Sequence, residues 1–310
     1  MRRAFPAILC LLMITAWYAS GSYGQTAKSA TGRKFAAEVP LLDCDGTPCV
    51  EGRIGEGKLL KFGIDTGDVD SVLESGMAEA AGLKPTAALP EGAPKGMFRT
   101  VIASVSVGMV KLTNIPALSL GLAEMIAQNQ MPHVDGTLAY TAFKNRILQL
   151  DFVAHKMRIS EELTAPAVCA GACDKISLIT FGKDGPPIVV ADGFEINGKK
   201  VTAQVDSMYT GSLLVYTASI EKLGLTEAAK STKTRDFPLT DGGVKMNEAA
   251  AKQESFHDVV LGGPLPTVYF PTPDVHEPNG LFDATVGLEL FYNAVLTLNF
   301  HDMTISIEKP

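Results

Sequence analysis

Basic excess, histidine, aromatic residues and long apolar runs are all scarce in this sequence, and each scarcity removes a class of function. Lys and Arg total 27 against 34 Asp and Glu, a formal net charge of −7. A nucleic-acid binder needs a basic face, so that class is set aside. No block of like charges is long enough to form a charged tail. The five histidines are His133, His155, His257, His276 and His301. None pairs with another at a metal-ligand or helix-face spacing. No Gly-x-Ser-x-Gly elbow follows the N-terminal segment, which argues against a serine hydrolase. Gly52-Arg-Ile-Gly-Glu-Gly57-Lys58 starts like a phosphate-binding loop, but Leu59 stands where a magnesium-binding hydroxyl is required. Long amphipathic helical patterns are also missing. The single tryptophan, Trp17, lies in the N-terminal segment and marks no site.

The one long apolar run, Ala7 to about Tyr18, follows Arg2-Arg3 and precedes Ala19-Ser-Gly-Ser-Tyr-Gly24. A charged start, an apolar core and small residues make a signal peptide over residues 1–24. The core is shorter than the ~20 residues of a spanning helix, so no membrane attachment is expected after its removal. Export to the periplasm or the medium follows. Residues 25–38 are polar and small and are expected to be a linker. Cys10 leaves with the signal, and Cys44, Cys49, Cys169 and Cys173 remain. An even count in an exported chain points to disulfides. Three pairings are possible; Cys44–Cys49 with Cys169–Cys173 closes the shortest loops. A zinc site on these cysteines would have no histidine nearby.

The rest of the chain is 46% hydrophobic, enough for one large domain or two of about 100–150 residues. From Val39 onward, short apolar runs alternate with Gly, Asp-Gly and Pro, the pattern of strands and hairpins. Gly76–Leu83 is one short helix candidate, stopped by Gly82. An internal repeat runs through the whole pattern. With Asp65 set against Asp206, Gly52, Gly57 and Lys58 match Gly193, Gly198 and Lys199, and Ser71-Val72-Leu73 matches Ser212-Leu213-Leu214. Asp45-Gly46-Thr47-Pro48 likewise matches Asp184-Gly185-Pro186-Pro187. Residues 135–159 align without a gap on 283–307. Identities there include Asp135/Asp283, Thr137/Thr285, Phe143/Phe291, Asn145/Asn293, Leu150/Leu298 and Ile159/Ile307. Two similar lobes are therefore expected, 39–162 and 175–310, joined by a linker over 163–174.

Each lobe carries one carboxylate at the same internal position, at the end of an apolar strand: Ile64-Asp65-Thr66-Gly67 and Val205-Asp206-Ser207-Met208. A charge at the end of a strand that faces a core needs a reason. The first stretch, with the two-lobe repeat around it, resembles the retropepsin-like aspartic peptidases, and the resemblance covers nearly all of the chain after the signal. Asp135–Phe143 followed by Ile147–Phe152 looks like that family's hydrophobic-hydrophobic-Gly element and its hairpin, with Ala139 in place of the glycine in the first lobe and Gly287 keeping it in the second.

The resemblance implies an all-β fold: two similar pepsin-like β-barrel lobes, a few short helices and a cleft between them. It implies Asp65 and Asp206 as a catalytic pair, Thr66 and Ser207 as bracing hydroxyls, and Gly67 as the close-packing turn residue. Two close carboxylates share a proton, so one serves as base and the other as acid toward a water molecule and a peptide carbonyl. No metal or cofactor is required. The expected partner is a polypeptide substrate, the expected state a monomer. Met208 departs from the glycine of the pattern and Asp68 from a small residue. Met208 would block activity if its backbone needed a left-handed conformation; Asp68 would raise the pKa of the pair by like-charge repulsion. The alternative is therefore a catalytically inactive protein of the same fold that binds peptides or a protein partner. Glu91–Phe98 and Phe237–Lys245 sit where loops could cover the cleft, and read equally well as plain hairpin tips.

Overall fold

The structure is a computed structural model, which describes residues 35–87, 96–123, 132–167, 169, 172–180, 187–237, 244–263, 267–272, 277–278 and 280–310. The expected signal peptide, most of the linker over 25–38, the tips of both expected cover loops (residues 91–95 and 238–243) and residues 184–186 of the repeated turn lie outside the described residues. Among the described residues 51% are strand and 11% helix, with three short helices, so the all-β expectation holds.

A seven-stranded sheet is built wholly from the first half. Its order is Leu42–Cys44, Thr47–Ile54, Leu59–Ile64, Gly136–Leu138, Ser71–Glu74, Val110–Leu120 and Phe98–Val107. Thr47–Ile54 also pairs with Phe98–Val107, which rolls the sheet back on itself. Phe62, Ile64, Leu73, Ile102, Leu112 and Ile115 fill the interior and are fully buried. Alternate positions of these strands face outward, as the two-residue period of a strand requires.

The second half repeats the central piece of this sheet. Gly136–Leu138 runs parallel to Leu59–Ile64 and antiparallel to Ser71–Glu74. Ala284–Val286 likewise runs parallel to Lys199–Val205 and antiparallel to Leu213–Val215. The short helices Ser75–Ala80 and Thr217–Leu223 follow at matching places, the second ended by Gly224 at φ 69°. That left-handed conformation is open to glycine at little cost.

A six-stranded segment joins the halves, in the order Ala37–Pro40, Lys156–Ile159, Ile147–Asp151, Val295–Asn299, Thr304–Glu308 and Cys173–Thr180. Its middle pairing sets the aligned tails against each other, with Leu150 opposite Leu296 and Leu148 opposite Leu298. Gln149 and Thr297, equivalent residues of the repeat, share a buried hydrogen bond of 3.0 Å. Two boundaries differ from the sequence expectation. Strand begins at Ala37, where a linker was expected, because Ala37 is buried and pairs with Ile159. Cys173 and Asp174 are strand as well, paired with Ser306 and Ile305.

The cysteines pair locally. Cys44 and Cys49 form one disulfide, with Cα atoms 6.0 Å apart, and Cys169 and Cys173 the other, at 6.5 Å. No helix among the described residues is long and apolar enough to cross a membrane.

Candidate active site

Asp65 and Asp206 each follow the last residue of a central strand, Leu59–Ile64 and Lys199–Val205. Their backbones are fixed alike. Asp65 N–H donates to Leu138 O and Asp206 N–H to Val286 O, both at 3.0 Å. One strand turn earlier, Asp135 N–H donates to Lys61 O and Asp283 N–H to Thr202 O, both at 2.8 Å. The carboxylates of Asp135 and Asp283 return the contact, accepting from Lys61 N–H at 2.8 Å and Thr202 N–H at 3.0 Å. The identity of these two aspartates in the repeat thus has a structural reason.

The two loops are clamped together by the hydroxyls beside the carboxylates. Thr66 Oγ1 donates to Val205 O at 2.8 Å, and Ser207 Oγ donates to Ile64 O. In return, Ser207 N–H donates to Thr66 Oγ1 at 3.0 Å and Thr66 N–H to Ser207 Oγ at 3.2 Å. Each hydroxyl therefore receives the other's amide and binds the carbonyl just before the other's aspartate. Both side chains are buried, at 1% and 0% exposure, so no water competes for these bonds.

The carboxylates are half-buried. Asp65 Oδ1 accepts from Gly67 N–H at 3.2 Å and Asp68 N–H at 3.1 Å. Asp206 Oδ1 accepts from Met208 N–H at 2.8 Å and Tyr209 N–H at 3.1 Å. Burial pushes Asp65 well above the usual carboxylate range, and the charges of Asp68 and Asp206 push further; its two N–H donors oppose them. Burial also raises Asp206, against the pull of its own two donors. Both carboxyls are thus pushed toward the protonated form, and neighbouring carboxyls titrate as a pair and not one by one. Asp68 is raised to about 6, by its enclosed surroundings first and then by Asp206 and Asp70. Its side chain reaches solvent, which screens those charges.

Gly67 has its glycine for a reason other than a left-handed turn, since its φ is not positive. A Cβ there would lie 2.8 Å from Asp206 Cβ and 2.9 Å from Asp206 Cγ, so the glycine lets the two loops approach. Met208 does not have a positive φ either, and its N–H reaches Asp206 as noted. Its side chain passes over Gly63, where Sδ lies 3.0 Å from the position a Cβ would take. Gly63 and Gly67 are the repeat equivalents of Gln204 and Met208. Each large residue of the second half therefore meets a glycine of the first: Met208 over Gly63, and Gln204 beside Gly67, whose missing Cβ would be 3.1 Å from Gln204 Nε2.

The edge of the first loop is covered. Asp68 bridges antiparallel to Ile188, and Val189 N–H donates to Gly67 O at 3.2 Å. At the repeat position shared by Ala139 and Gly287, a Cβ on Gly287 would lie 2.4 Å from Tyr209 Cδ1, Tyr209 O and Gly211 O, so the second loop leaves room for glycine alone. Ala139 fits at the matching place in the first half, where Asp68 stands instead of the tyrosine.

The residues singled out from the sequence are therefore brought together: Asp65, Thr66, Gly67, Asp206 and Ser207 form one cluster. Gly63, Gln204, Tyr216 and Thr285 join it; the signal for Gly63 and Gln204 was a mismatch between aligned repeat positions. A cavity of about 290 Å³ lies elsewhere in the first half, lined by Val39, Glu51, Arg53 and Ser106 among others, and takes in no residue of the two loops. Among the described residues no group of three metal-ligating side chains occurs. A scan of the sequence against protein-family models finds no match, and a search of curated proteins finds none.

Proposed function

We propose that this chain is an aspartic endopeptidase of the retropepsin-like kind, acting on polypeptides through Asp65 and Asp206. The observation that supports it is the reciprocal clamp of Thr66 and Ser207, which joins two equivalent carboxylate loops with the N–H donors of each turned onto its own aspartate. A pair of half-buried carboxylates, both held toward the protonated form, supplies what peptide hydrolysis needs. Asp206 takes a proton from a water whose oxygen attacks the peptide carbon, while Asp65 gives its proton to the carbonyl oxygen. The tetrahedral diol then collapses: Asp206 gives its proton to the leaving nitrogen, the C–N bond breaks, and a diol hydroxyl returns a proton to Asp65. No metal, cofactor or covalent intermediate enters this sequence. We place the protein outside the cytoplasm, in the periplasm or secreted, from the signal-like N-terminus and the two disulfides.

One observation favours a second reading, peptide or protein binding without cleavage. Ile188 and Val189 occupy the edge of the first loop, where an extended peptide would otherwise pair. Cleavage of a mixed peptide library by the purified chain from residue 25 onward, scanned from pH 3 to 8, separates the two readings. Cleavage is expected on the acidic side, with Asp65→Asn and Asp206→Asn each lowering kcat by about 10²–10⁴-fold. A folded wild-type chain that cleaves nothing across that range, yet retains peptides on a column, would establish the binding reading instead.

A further inference from the structure

Gln204 reaches across to the first half, and nothing in the first half answers it, because its equivalent is Gly63. It lies in Lys199–Val205, two residues before Asp206 and so on the same side of the strand. Gln204 Nε2 donates to Gly67 O at 3.3 Å. Thr285 Oγ1 donates to Gln204 Oε1 at 3.1 Å, and Tyr216 Oη lies 2.9 Å from Thr285 Oγ1. Valence fixes the directions. A carbonyl only accepts, so the amide nitrogen must face Gly67 O and the amide oxygen must face Thr285. Thr285 has one proton and gives it to Gln204, so the tyrosine is the donor to Thr285. Burial pushes the Tyr216 phenol up to about 12, so it keeps that proton. A one-way chain of donors runs from a phenol of the second half to a main-chain carbonyl of the first.

Gly67 C=O belongs to the same peptide unit as the Asp68 N–H, which donates to Asp65 Oδ1. Donors on a peptide oxygen polarise the unit and strengthen its N–H. We infer that Gln204 is a positioning residue for Asp65: through the Gly67–Asp68 peptide it holds the first loop against the second half and strengthens a hydrogen bond that the Asp65 carboxylate receives. Its consequence for catalysis rests on the peptidase reading; the hydrogen-bond effect does not. The groups facing Asp65 are Asp68 on its own loop and Asp206 from the other half. Asp206 also faces Tyr216, and Asp70, which neighbours Asp68, is paired with Arg99 at 2.9 Å. Against those negative charges, the N–H donors are what favour ionisation of Asp65.

Weakening a donor lets Asp65 keep its proton to higher pH. The upper limit of activity of a pair sharing one proton is set by loss of that proton, so the alkaline limb moves up as well. The test uses Gln204→Met, which keeps the shape, Gln204→Glu, and Thr285→Val, which removes the donor to the amide. The Asp65 carboxyl is followed by carbon NMR titration in the whole chain after the signal, assigned with Asp65→Asn, and the pH profile of peptide cleavage is recorded beside it. In Gln204→Met both are expected to rise by about 0.5–1 pH unit. Gln204→Glu moves further in the same direction and Thr285→Val less far. KM should stay within about twofold while kcat falls, since Gln204 holds the loop and not the substrate. An Asp65 titration that does not move in folded Gln204→Met or Thr285→Val overturns the inference. A titration that moves in a chain that cleaves nothing overturns the peptidase reading and leaves Gln204 in its role.

Discussion

Glu254 is 2% exposed and carries a carboxyl group into the second half, with Ser212 Oγ 3.3 Å from each of its oxygens. Burial raises it to about 8; the Ser212 hydroxyl pulls it down and the charge of Glu289 pushes it up. In the unfolded chain a glutamate titrates near 4.3. Between those values the folded state holds a proton that the unfolded state has lost, so stability falls as pH rises from about 4.3 to about 8. The slope approaches one proton, about 1.4 kcal/mol per pH unit. Glu254→Gln is neutral at every pH and keeps the shape. Its urea midpoint should exceed that of the wild type at pH 8 and approach it near pH 4; parallel curves would refute the assignment. The sequence showed Glu254 only as one acidic residue among many, because nothing local announces that strand Glu254–Phe256 is covered. Asp65 and Asp206 were legible for the opposite reason: each is the polar end of an apolar strand, twice over. Met208 was legible as a departure but not as a fit, since Gly63, which receives it, is far away in the chain.

Asp135 and Asp283 show the same economy at the level of strands. Each immediately precedes the short strand that supports a candidate catalytic loop, and each binds the neighbouring strand through both its amide and its carboxylate. Around Asp283 burial favours the neutral acid. Lys222 Nζ at 2.8 Å, Ser219 Oγ at 2.6 Å and the Thr202 N–H outweigh it and hold the carboxyl below its ordinary range. A depressed folded value gives stability that is present above the unfolded carboxylate range and lost as pH falls through the folded one. Asp283→Asn should therefore lose about 1–3 kcal/mol at pH 7 in urea unfolding, with the difference shrinking toward pH 2. A difference independent of pH would show that shape, not charge, matters there. The order of strands, the short helices and the matching turns could be read from the repeat. The ends of the expected linkers could not: Ala37 and Cys173 enter strands because a distant partner lies ready for them, and no local pattern carries that information.

At the scale of the whole molecule, the six-stranded segment gives each half the other's hairpin as a neighbour. Neither half can open that edge without exposing paired backbone and buried Leu148, Leu150, Leu296 and Leu298. One cooperative transition in urea is expected, with circular dichroism and tyrosine fluorescence coincident; two separated transitions would mean that the halves are independent. The contact between the loops is equally mutual but not symmetrical. Two copies of the first half would set glycine against glycine and leave holes on both sides. Two copies of the second would bring Met208 against Gln204 with no glycine to receive either. The four residues at positions 63, 67, 204 and 208 act as lock and key: each half fits the other and neither fits a copy of itself, so one half alone is not expected to build this site by self-association.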